Sequence, residues 1–128
     1  MLGFKRSIFR AVIISAVGIA GMGTATAAGA LAVGACGAYG QAFGYRDLDG
    51  AQSSALEQCK APGCRIVATL RRSCAALAVD VTNPCGVHGA GQSPRLGLAQ
   101  NAALQKCYRG GGKDCVIRTF VCDGQGKG

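Results

Sequence analysis

Large aromatic side chains are scarce in this sequence. It has no tryptophan, and phenylalanine and tyrosine together make up 5% of its 128 residues. Because few aromatic rings lie among its basic residues, the chain offers little of the stacking surface that binds single-stranded nucleic acid, and we expect no nucleic-acid partner. A core made mostly of alanine, valine, leucine and isoleucine buries little apolar area per residue. A small domain of this kind is expected to rely on covalent cross-links.

The residue sets of the common catalytic sites are also missing. His88 is the only histidine, and its spacing matches no serine or cysteine nucleophile. Asp47 and Asp49 lie too close together, at a predicted helix start, to act as a glycosidase pair. The absence of C-x-x-C argues against redox catalysis. We therefore predict no catalytic residue and no cofactor, and His88 is retained only as a candidate polar site.

The N-terminal residues have the features of an export signal. Three basic residues, the last of them Arg10, precede an apolar run over residues 11–20, and Ala25-Thr26-Ala27 supplies a small-x-small cleavage motif. We predict a cleaved signal peptide at residues 1–27 and a secreted, periplasmic or envelope protein. The alternative is a retained membrane anchor. Four glycines interrupt the apolar stretch, and no basic stop-transfer cluster follows it.

Residues 28–128 are predicted to form a single domain that contains one unit twice. The segment AQSSALEQC at residues 51–59 returns as AQNAALQKC at residues 99–107, and the cysteines around both segments recur at matching places. Repeat one covers about residues 30–74 and repeat two about residues 76–122. The offset between equivalent residues changes only between predicted elements, where a duplicated unit tolerates insertions.

Each repeat is predicted to contain one amphipathic helix. In the first repeat the apolar positions fall at i, i+3, i+7, i+8 and i+11, and the second repeats that pattern position for position. The first set is Leu48, Ala51, Ala55, Leu56 and Cys59, and the second is Leu96, Ala99, Ala103, Leu104 and Cys107. Asp47 is the expected N-cap of the first helix and Ser93, followed by Pro94, that of the second.

Strands are predicted on both sides of each helix. Residues 64–70 and 115–121 are rich in β-branched side chains, and the ALAV runs at residues 30–33 and 76–79 are short apolar strands. Residues 38–45 alternate small and aromatic side chains around Gly40 and Gly44, as in the second strand of a hairpin. Each repeat is therefore β-β-α-β. The expected fold is a small, disulfide-rich α+β domain in which two pseudo-twofold-related repeats form a mainly antiparallel sheet with both helices on one face.

All eight cysteines follow the predicted leader, and this density in an exported chain indicates a disulfide scaffold. Cys59 and Cys64 flank the predicted turn between helix and strand in repeat one, and Cys107 and Cys115 flank the equivalent turn. We predict one disulfide within each repeat. A zinc site made of the same four cysteines is disfavoured, because their spacings are looser than C-x2-C and export favours oxidation. No metal is predicted.

The remaining four cysteines occupy two pairs of equivalent repeat positions. A pseudo-twofold axis brings equivalent positions together, which favours Cys36–Cys85 and Cys74–Cys122. The symmetric alternative is Cys36–Cys74 with Cys85–Cys122, and eight cysteines allow many other pairings.

Basic residues outnumber acidic ones, 14 to six. Seven basic residues fall on the third strand of each repeat and on the adjoining helix ends, and together they would suit an anionic polymer. The alternative is a solvated surface that keeps a small exported domain soluble. This candidate patch consists of Arg65, Arg71, Arg72, Lys106, Arg109, Lys113 and Arg118.

The two repeats also differ at positions where a function would be sought. Tyr39 of the first repeat corresponds to His88 of the second, and Phe43 corresponds to Gln92. A position that holds tyrosine in one copy and histidine in the other favours a structural role for His88. The second repeat also has a longer glycine-rich loop, at residues 110–112, between its helix and its last strand.

The segments GAYGQAFGY at residues 37–45, CRIV at residues 64–67 and CAALAV at residues 74–79, with the two helix cysteines, resemble a known bacterial family. This family is domain of unknown function 4189 (DUF4189), and the resemblance covers about residues 30–123. It implies an exported bacterial protein. It implies no enzyme activity and no catalytic residues.

These observations favour a non-enzymatic binding module at the cell envelope or outside the cell. Its expected partner is a protein or an anionic envelope polymer, and no membrane anchor is expected after cleavage. One alternative is a small secreted hydrolase of envelope polymer, which would need His88 and an acidic residue in one cleft. The other is a secreted effector that binds host components.

Overall fold

The fold is taken from a computed structural model, which describes residues 27–124. The predicted signal peptide, apart from Ala27, lies outside these residues. Among the residues described, no helix is both long enough and apolar enough to cross a membrane.

The described chain contains two β-β-α-β units in succession, as the sequence predicts. The first consists of β1 (Ala28–Val33), β2 (Tyr39–Tyr45), α1 (Leu48–Gln58) and β3 (Arg65–Leu70). The second consists of β4 (Ser73–Asp80), β5 (His88–Ser93), α2 (Leu96–Arg109) and β6 (Cys115–Asp123). A short 3-10 turn, Ala35–Gly37, joins β1 to β2.

The strands form two antiparallel sheets, one from each unit. In the first sheet β1 lies between β2 and β3, and in the second β4 lies between β5 and β6. Helix α1 packs on the first sheet and α2 on the second. This corrects the expectation of a single sheet with both helices on one face, while the α+β class and the repeated unit are confirmed.

The central strands explain why two sheets form. In β1, Leu31 and Val33 point toward the second sheet and pack against Leu77 and Val79 of β4. The alternating alanines of both strands point the other way, toward the helices. A strand that is apolar on both faces must be covered on both faces. The result is four layers, helix, sheet, sheet and helix, with the largest side chains between the sheets.

Glycines allow each helix to lie directly against a strand of its own sheet. A Cβ atom at Gly40 of β2 would lie 2.8 Å from the backbone nitrogen of Cys59, and one at Gly89 of β5 would lie 2.6 Å from that of Cys107. Both distances are shorter than van der Waals contact. The small residues of the helix face therefore meet strand backbone, which fits their role as a structural repeat.

The two predicted N-caps differ in outcome. Asp47 caps α1, and its carboxylate accepts a hydrogen bond from the backbone nitrogen of Gly50 at 2.7 Å. The prediction for Ser93 is wrong, because Arg95 is the N-cap of α2. Ser93 is still the last residue of β5, paired with Cys74 of β4. Its hydroxyl accepts from the backbone nitrogen of Arg95 at 3.2 Å, within the turn before the helix.

Two of the four disulfides close short loops within the units. Cys59 is bonded to Cys64, and Cys107 is bonded to Cys115. Each ties the end of a helix to the beginning of the following strand, as the sequence predicts.

The other two disulfides are Cys36–Cys85 and Cys74–Cys122. Cys36–Cys85 joins equivalent turns of the two units. The pairing of Cys74 with Cys122 is predicted from a pseudo-twofold axis between the repeats, but its cause in the structure is different. Cys74 belongs to β4 and lies directly opposite Cys122 of β6, so the disulfide is a cross-strand pair within one sheet.

Candidate binding groove

The seven basic residues of the predicted patch are all exposed, but they lie at two ends of the molecule. Arg71 and Arg72 form the turn between β3 and β4, just after Leu70, which pairs with Gly29 at the beginning of β1. The other five lie at the opposite end, where β1 and β4 finish, and we call this the basic end. Its members are Arg65, Lys106, Arg109, Lys113 and Arg118.

Strand pairing and disulfides place the first four of these residues at the basic end. Arg65 pairs with Val33, the last residue of β1. Lys106 and Arg109 lie in the last turn of α2, which Cys107–Cys115 ties to the beginning of β6. The backbone nitrogen of Lys113 donates to the Asp80 carboxylate at the end of β4.

A β-bulge in β6 gives Arg118 a separate orientation. Thr119 pairs with Leu77 and Ile117 pairs with Ala78, so Arg118 has no partner in β4. Bulges of this kind re-aim a side chain out of the regular strand alternation. The Nε of Arg118 donates to the carbonyl oxygen of Gly37 at 2.8 Å, and its guanidinium lies 5.5 Å from the ring centroid of Tyr39. The second unit thus places an arginine over a tyrosine of the first unit.

The terminal amino groups of Arg118 have no hydrogen-bond partner within residues 27–124, and no carboxylate there pairs with them. One edge of the guanidinium is therefore held by Gly37 and Tyr39, and the other edge is open. A guanidinium fixed in this way is preorganised for an anion that presents two oxygens to it, such as a carboxylate, sulfate or phosphate.

Arg118 lines a groove of about 630 Å³ along the seam where β2 and β6 lie side by side. The hydroxyl of Thr119 donates to Oε1 of Gln41 at 2.8 Å across this seam. The side-chain amide nitrogen of Gln41 remains available as a donor. The groove is lined by Gln41, Gln100, Ile117, Arg118, Thr119 and Phe120.

Arg118 also lines a second cavity, of about 320 Å³. It is lined by Val79, Val81 and Pro84 and by Cys36 of the disulfide that joins the two units. Arg118 thus lines both a groove of mixed polarity and a mostly apolar cavity. A ligand that reached both would need a charged or polar part beside a small apolar one.

Exposed aromatic side chains lie on the same two strands as the groove. Phe120 of β6 is 48% exposed, and Phe43 of β2 is 64% exposed. At the equivalent seam between β3 and β5, the position of Phe43 is taken by Gln92. The amide nitrogen of Gln92 donates to the carbonyl oxygen of Thr69 at 2.8 Å. At this repeat position one seam therefore has a hydrogen bond between its strands, and the other has an exposed aromatic ring.

His88 is exposed at the beginning of the edge strand β5, opposite Val79. The acidic residue next to Val79 is Asp80, whose carboxylate is engaged elsewhere. It accepts from the backbone nitrogen and hydroxyl of Thr82 and from the backbone nitrogens of Lys113 and Asp114. These hydrogen bonds, that of the Thr82 hydroxyl most of all, lower the pKa of Asp80 to about 2. The carboxylate shapes the loop before β6.

Among residues 27–124, no group of three or more histidine, cysteine, aspartate or glutamate side chains could hold a metal ion. All eight cysteines are in disulfides. The groove residues Gln41, Gln100 and Phe120 were not singled out from the sequence. The one sequence signal near this seam is the difference between Phe43 and Gln92 in the two repeats.

The fold and its four disulfides define a small disulfide-rich α+β domain built from two copies of one unit. Residues 28–122 match the family described as Domain of unknown function (DUF4189), so the chain belongs to this family. No curated protein and no solved structure is significantly similar to the chain.

Proposed function

We propose that this protein is a non-enzymatic binding module that works at the cell envelope or outside the cell. Its ligand is an anionic polymer with sugar-like hydroxyl groups, bound in the groove between β2 and β6. The four disulfides support an oxidising compartment.

The proposal rests mainly on Arg118. Its guanidinium is held in place by Gly37 and Tyr39, and its open edge lines the groove. A hydrogen bond to a charged group contributes about 1.5–3 kcal/mol, more than a neutral one. The amides of Gln41 and Gln100 and the hydroxyl of Thr119 provide both donors and acceptors beside it. Hydroxyl groups next to an acidic group would satisfy this arrangement.

The basic end supports the same ligand through longer-range attraction. Arg65, Lys106, Arg109 and Lys113 are exposed at the end of the molecule where Arg118 lies, and Asp114 is an exposed acid near them. A cluster dominated by one sign of charge raises the local concentration of a polyanion and speeds its association. Such binding weakens as salt increases, because exposed charges are screened over about 10 Å at 0.1 M ionic strength.

The test compares R118Q with R71Q in binding to fluorescent dextran sulfate, measured by anisotropy, with uncharged dextran of the same length as the ligand control. Both variants remove one exposed positive charge, but Arg71 lies at the opposite end of the molecule. We expect R118Q to weaken binding by about tenfold or more, since a charged hydrogen bond is lost. R71Q should change it by less than about twofold.

Equal losses in the two variants would show that only net charge matters, and the groove would then not be the binding site. Binding of uncharged dextran with the same affinity as dextran sulfate would also contradict the proposal. Circular dichroism and a thiol assay of each variant establish that the fold and the disulfides are intact.

A further inference from the structure

Asp123, the last residue of β6, carries a buried carboxylate that is almost without partners. The residue is 2% exposed. Its Oδ1 accepts one long hydrogen bond, from the backbone nitrogen of Gly44 at 3.4 Å, and its Oδ2 has no hydrogen-bond partner. Removing a carboxylate from water costs several kcal/mol unless a cation or several donors replace the water. The contacts of Asp123 within the described residues do not provide this.

The surrounding backbone makes room for this carboxylate. Asp123 points between the two sheets toward Gly29 of β1. A Cβ atom at Gly29 would lie 3.1 Å from the Cβ of Asp123, 3.3 Å from its Oδ2 and 2.7 Å from the carbonyl oxygen of Ala42. Gly44 has a φ of 76°, in the left-handed region, at the place where the pairing of β1 with β2 is irregular. Gly29 therefore leaves space for the acid, and Gly44 donates its one hydrogen bond.

No side chain of residues 27–124 forms an ion pair with Asp123. The backbone of Arg72 lies near Gly124, but the Arg72 side chain is exposed to solvent. Ser73, opposite Asp123 in β4, instead contacts the amide of Gln92 through its hydroxyl. The side chains of residues 27–124 therefore supply no cation for Asp123.

The backbone nitrogen of Ala28 lies one residue from Gly29. The Cα atom of Ala28 lies about 3.8 Å from that of Gly29, and a Cβ atom at Gly29 would lie 3.3 Å from Oδ2 of Asp123. Ala28 is fully buried at the beginning of β1 and pairs with Tyr45 of β2. It is also the first residue after the predicted cleavage motif Ala25-Thr26-Ala27.

We propose that cleavage of the leader between Ala27 and Ala28 frees an α-ammonium group that pairs with the buried carboxylate of Asp123. Hydrolysis of this peptide bond consumes one water molecule and leaves the new carboxylate on the leader. The amino group stays on Ala28, and it is mostly protonated near neutral pH because an α-amino group titrates at about 7.7–8.0. The pair links the first strand of one unit to the last strand of the other, so processing completes the folded core.

The experiment is a double-mutant cycle on the exported protein. The precursor with its own leader is compared with a precursor that has two serines inserted between Ala27 and Ala28, so that its product carries two additional residues before Ala28. Both are made with Asp123 and as D123N. N-terminal sequencing identifies each product, and urea denaturation gives its stability. D49N, at an exposed acid near the same end, is the matched control.

We expect the insertion to lower the folding equilibrium constant of the Asp123 protein by about tenfold or more, because it removes one partner of a buried pair. In D123N the insertion should change it by less than about twofold, and D49N should behave as the Asp123 protein does. The second readout is the rate at which acetic anhydride modifies the Ala28 amino group, followed by mass spectrometry. This rate should be at least about tenfold higher in D123N, since a paired, buried ammonium is protected.

The proposal is overturned if the insertion has the same effect with and without Asp123, the result expected if a buried water satisfies the carboxylate. It is also overturned if the product does not begin at Ala28. If D123N does not fold, the acetylation rate of the Asp123 protein is compared with that of an Ala-Gly-Ala peptide, which has the sequence of residues 28–30, and equal rates would exclude the pair.

Discussion

Asp80 shows how one residue changes a loop between the two copies of the unit. In the sequence repeat it corresponds to Gly34. A Cβ atom at Gly34 would lie 2.6 Å from the sulfur of Cys64, so the first unit has no room for a side chain there. In the second unit the loop after the helix is longer, and the Asp80 carboxylate accepts backbone hydrogen bonds from Lys113 and Asp114. The glycine-rich loop of the second unit is thereby held to the end of β4.

Asp80 also makes stability depend on pH. Hydrogen bonds from Thr82, Lys113 and Asp114 lower the pKa of Asp80 from 3.8 to about 2 in the folded protein. A lowered pKa means that the contribution of Asp80 is fully present above about pH 4 and is lost as the pH falls toward 2. We expect the free energy of unfolding of the native protein to fall more steeply between pH 4 and pH 2 than that of D80N. Urea titrations across this range measure the slopes.

D49N is the control for that comparison, because Asp49 is exposed in the first turn of α1. Its slope should follow that of the native protein. If D80N and the native protein had the same slope, Asp80 would not be the origin of the pH dependence.

At the scale of elements, the contact between helix and strand is governed by glycine and alanine. Helix α2 presents Ala99, Ala103 and Cys107 to its sheet. Gly89 and Gly91 of β5 leave no side chain between this face and the strand backbone. Close approach compensates for the small side chains, because more backbone and Cβ atoms come into van der Waals contact. The segment that occurs twice is thus a packing surface.

Two glycine-to-alanine substitutions in the second unit test this packing. A methyl group at Gly89 would lie 2.6 Å from the backbone nitrogen of Cys107, so the helix would have to shift. We expect G89A to lower the free energy of unfolding by about 1–3 kcal/mol. Gly97, in the first turn of α2, has open space around its Cβ position. G97A should raise the free energy of unfolding by about 0.5–1 kcal/mol, because alanine favours the helix.

Urea denaturation of the two variants gives both values. A neutral or stabilising effect of G89A would mean that the helix and β5 are not in direct contact. G89A is expected to lower the free energy of unfolding and G97A to raise it, so the pair distinguishes an effect on packing from an effect on helix propensity.

At the scale of the whole molecule, the two units depend on each other. Their sheets share one apolar layer, and β2 lies beside β6 as β3 lies beside β5. Hydrogen bonds cross both seams, from Thr119 to Gln41 and from Gln92 to Thr69. The Cys36–Cys85 disulfide adds a covalent link at the end where Arg118 lies. The candidate groove exists only because the units are joined in this way.

Removal of Cys36–Cys85 should therefore affect both stability and binding. This disulfide spans 49 residues of sequence, and the chain-entropy relation assigns it roughly 4 kcal/mol. Cys59–Cys64 spans five residues and is assigned roughly 2 kcal/mol. We expect C36A/C85A to lose about twice as much free energy of unfolding as C59A/C64A. It should also weaken dextran sulfate binding, since the turn that presents Gly37 to Arg118 is released.

Equal losses of stability in the two double variants would contradict this expectation. Unchanged binding by C36A/C85A would show that Arg118 does not depend on the turn between β1 and β2.

Much of the architecture follows from local sequence pattern. The bounds of α1 and α2 agree with the apolar spacing at residues 48–59 and 96–107. The disulfides Cys59–Cys64 and Cys107–Cys115 join residues that are neighbours along the chain. Such features are accessible because helix period and short loops depend on residues that are close in sequence. The repeat makes more of the fold predictable, because an element recognised in one unit is expected at the equivalent position of the other.

The arrangement of the two sheets, the groove and the buried acid depend on contacts between residues far apart in the chain. The ALAV strands are apolar on both faces. This pattern is compatible with one sheet and with two packed sheets, so it does not determine how many sheets form. The orientation of Arg118 depends on a bulge opposite β4, and the burial of Asp123 depends on Gly29 and Gly44, both more than 75 residues away. Local periodicity carries no information about such pairings, because they are selected by how the complete core closes.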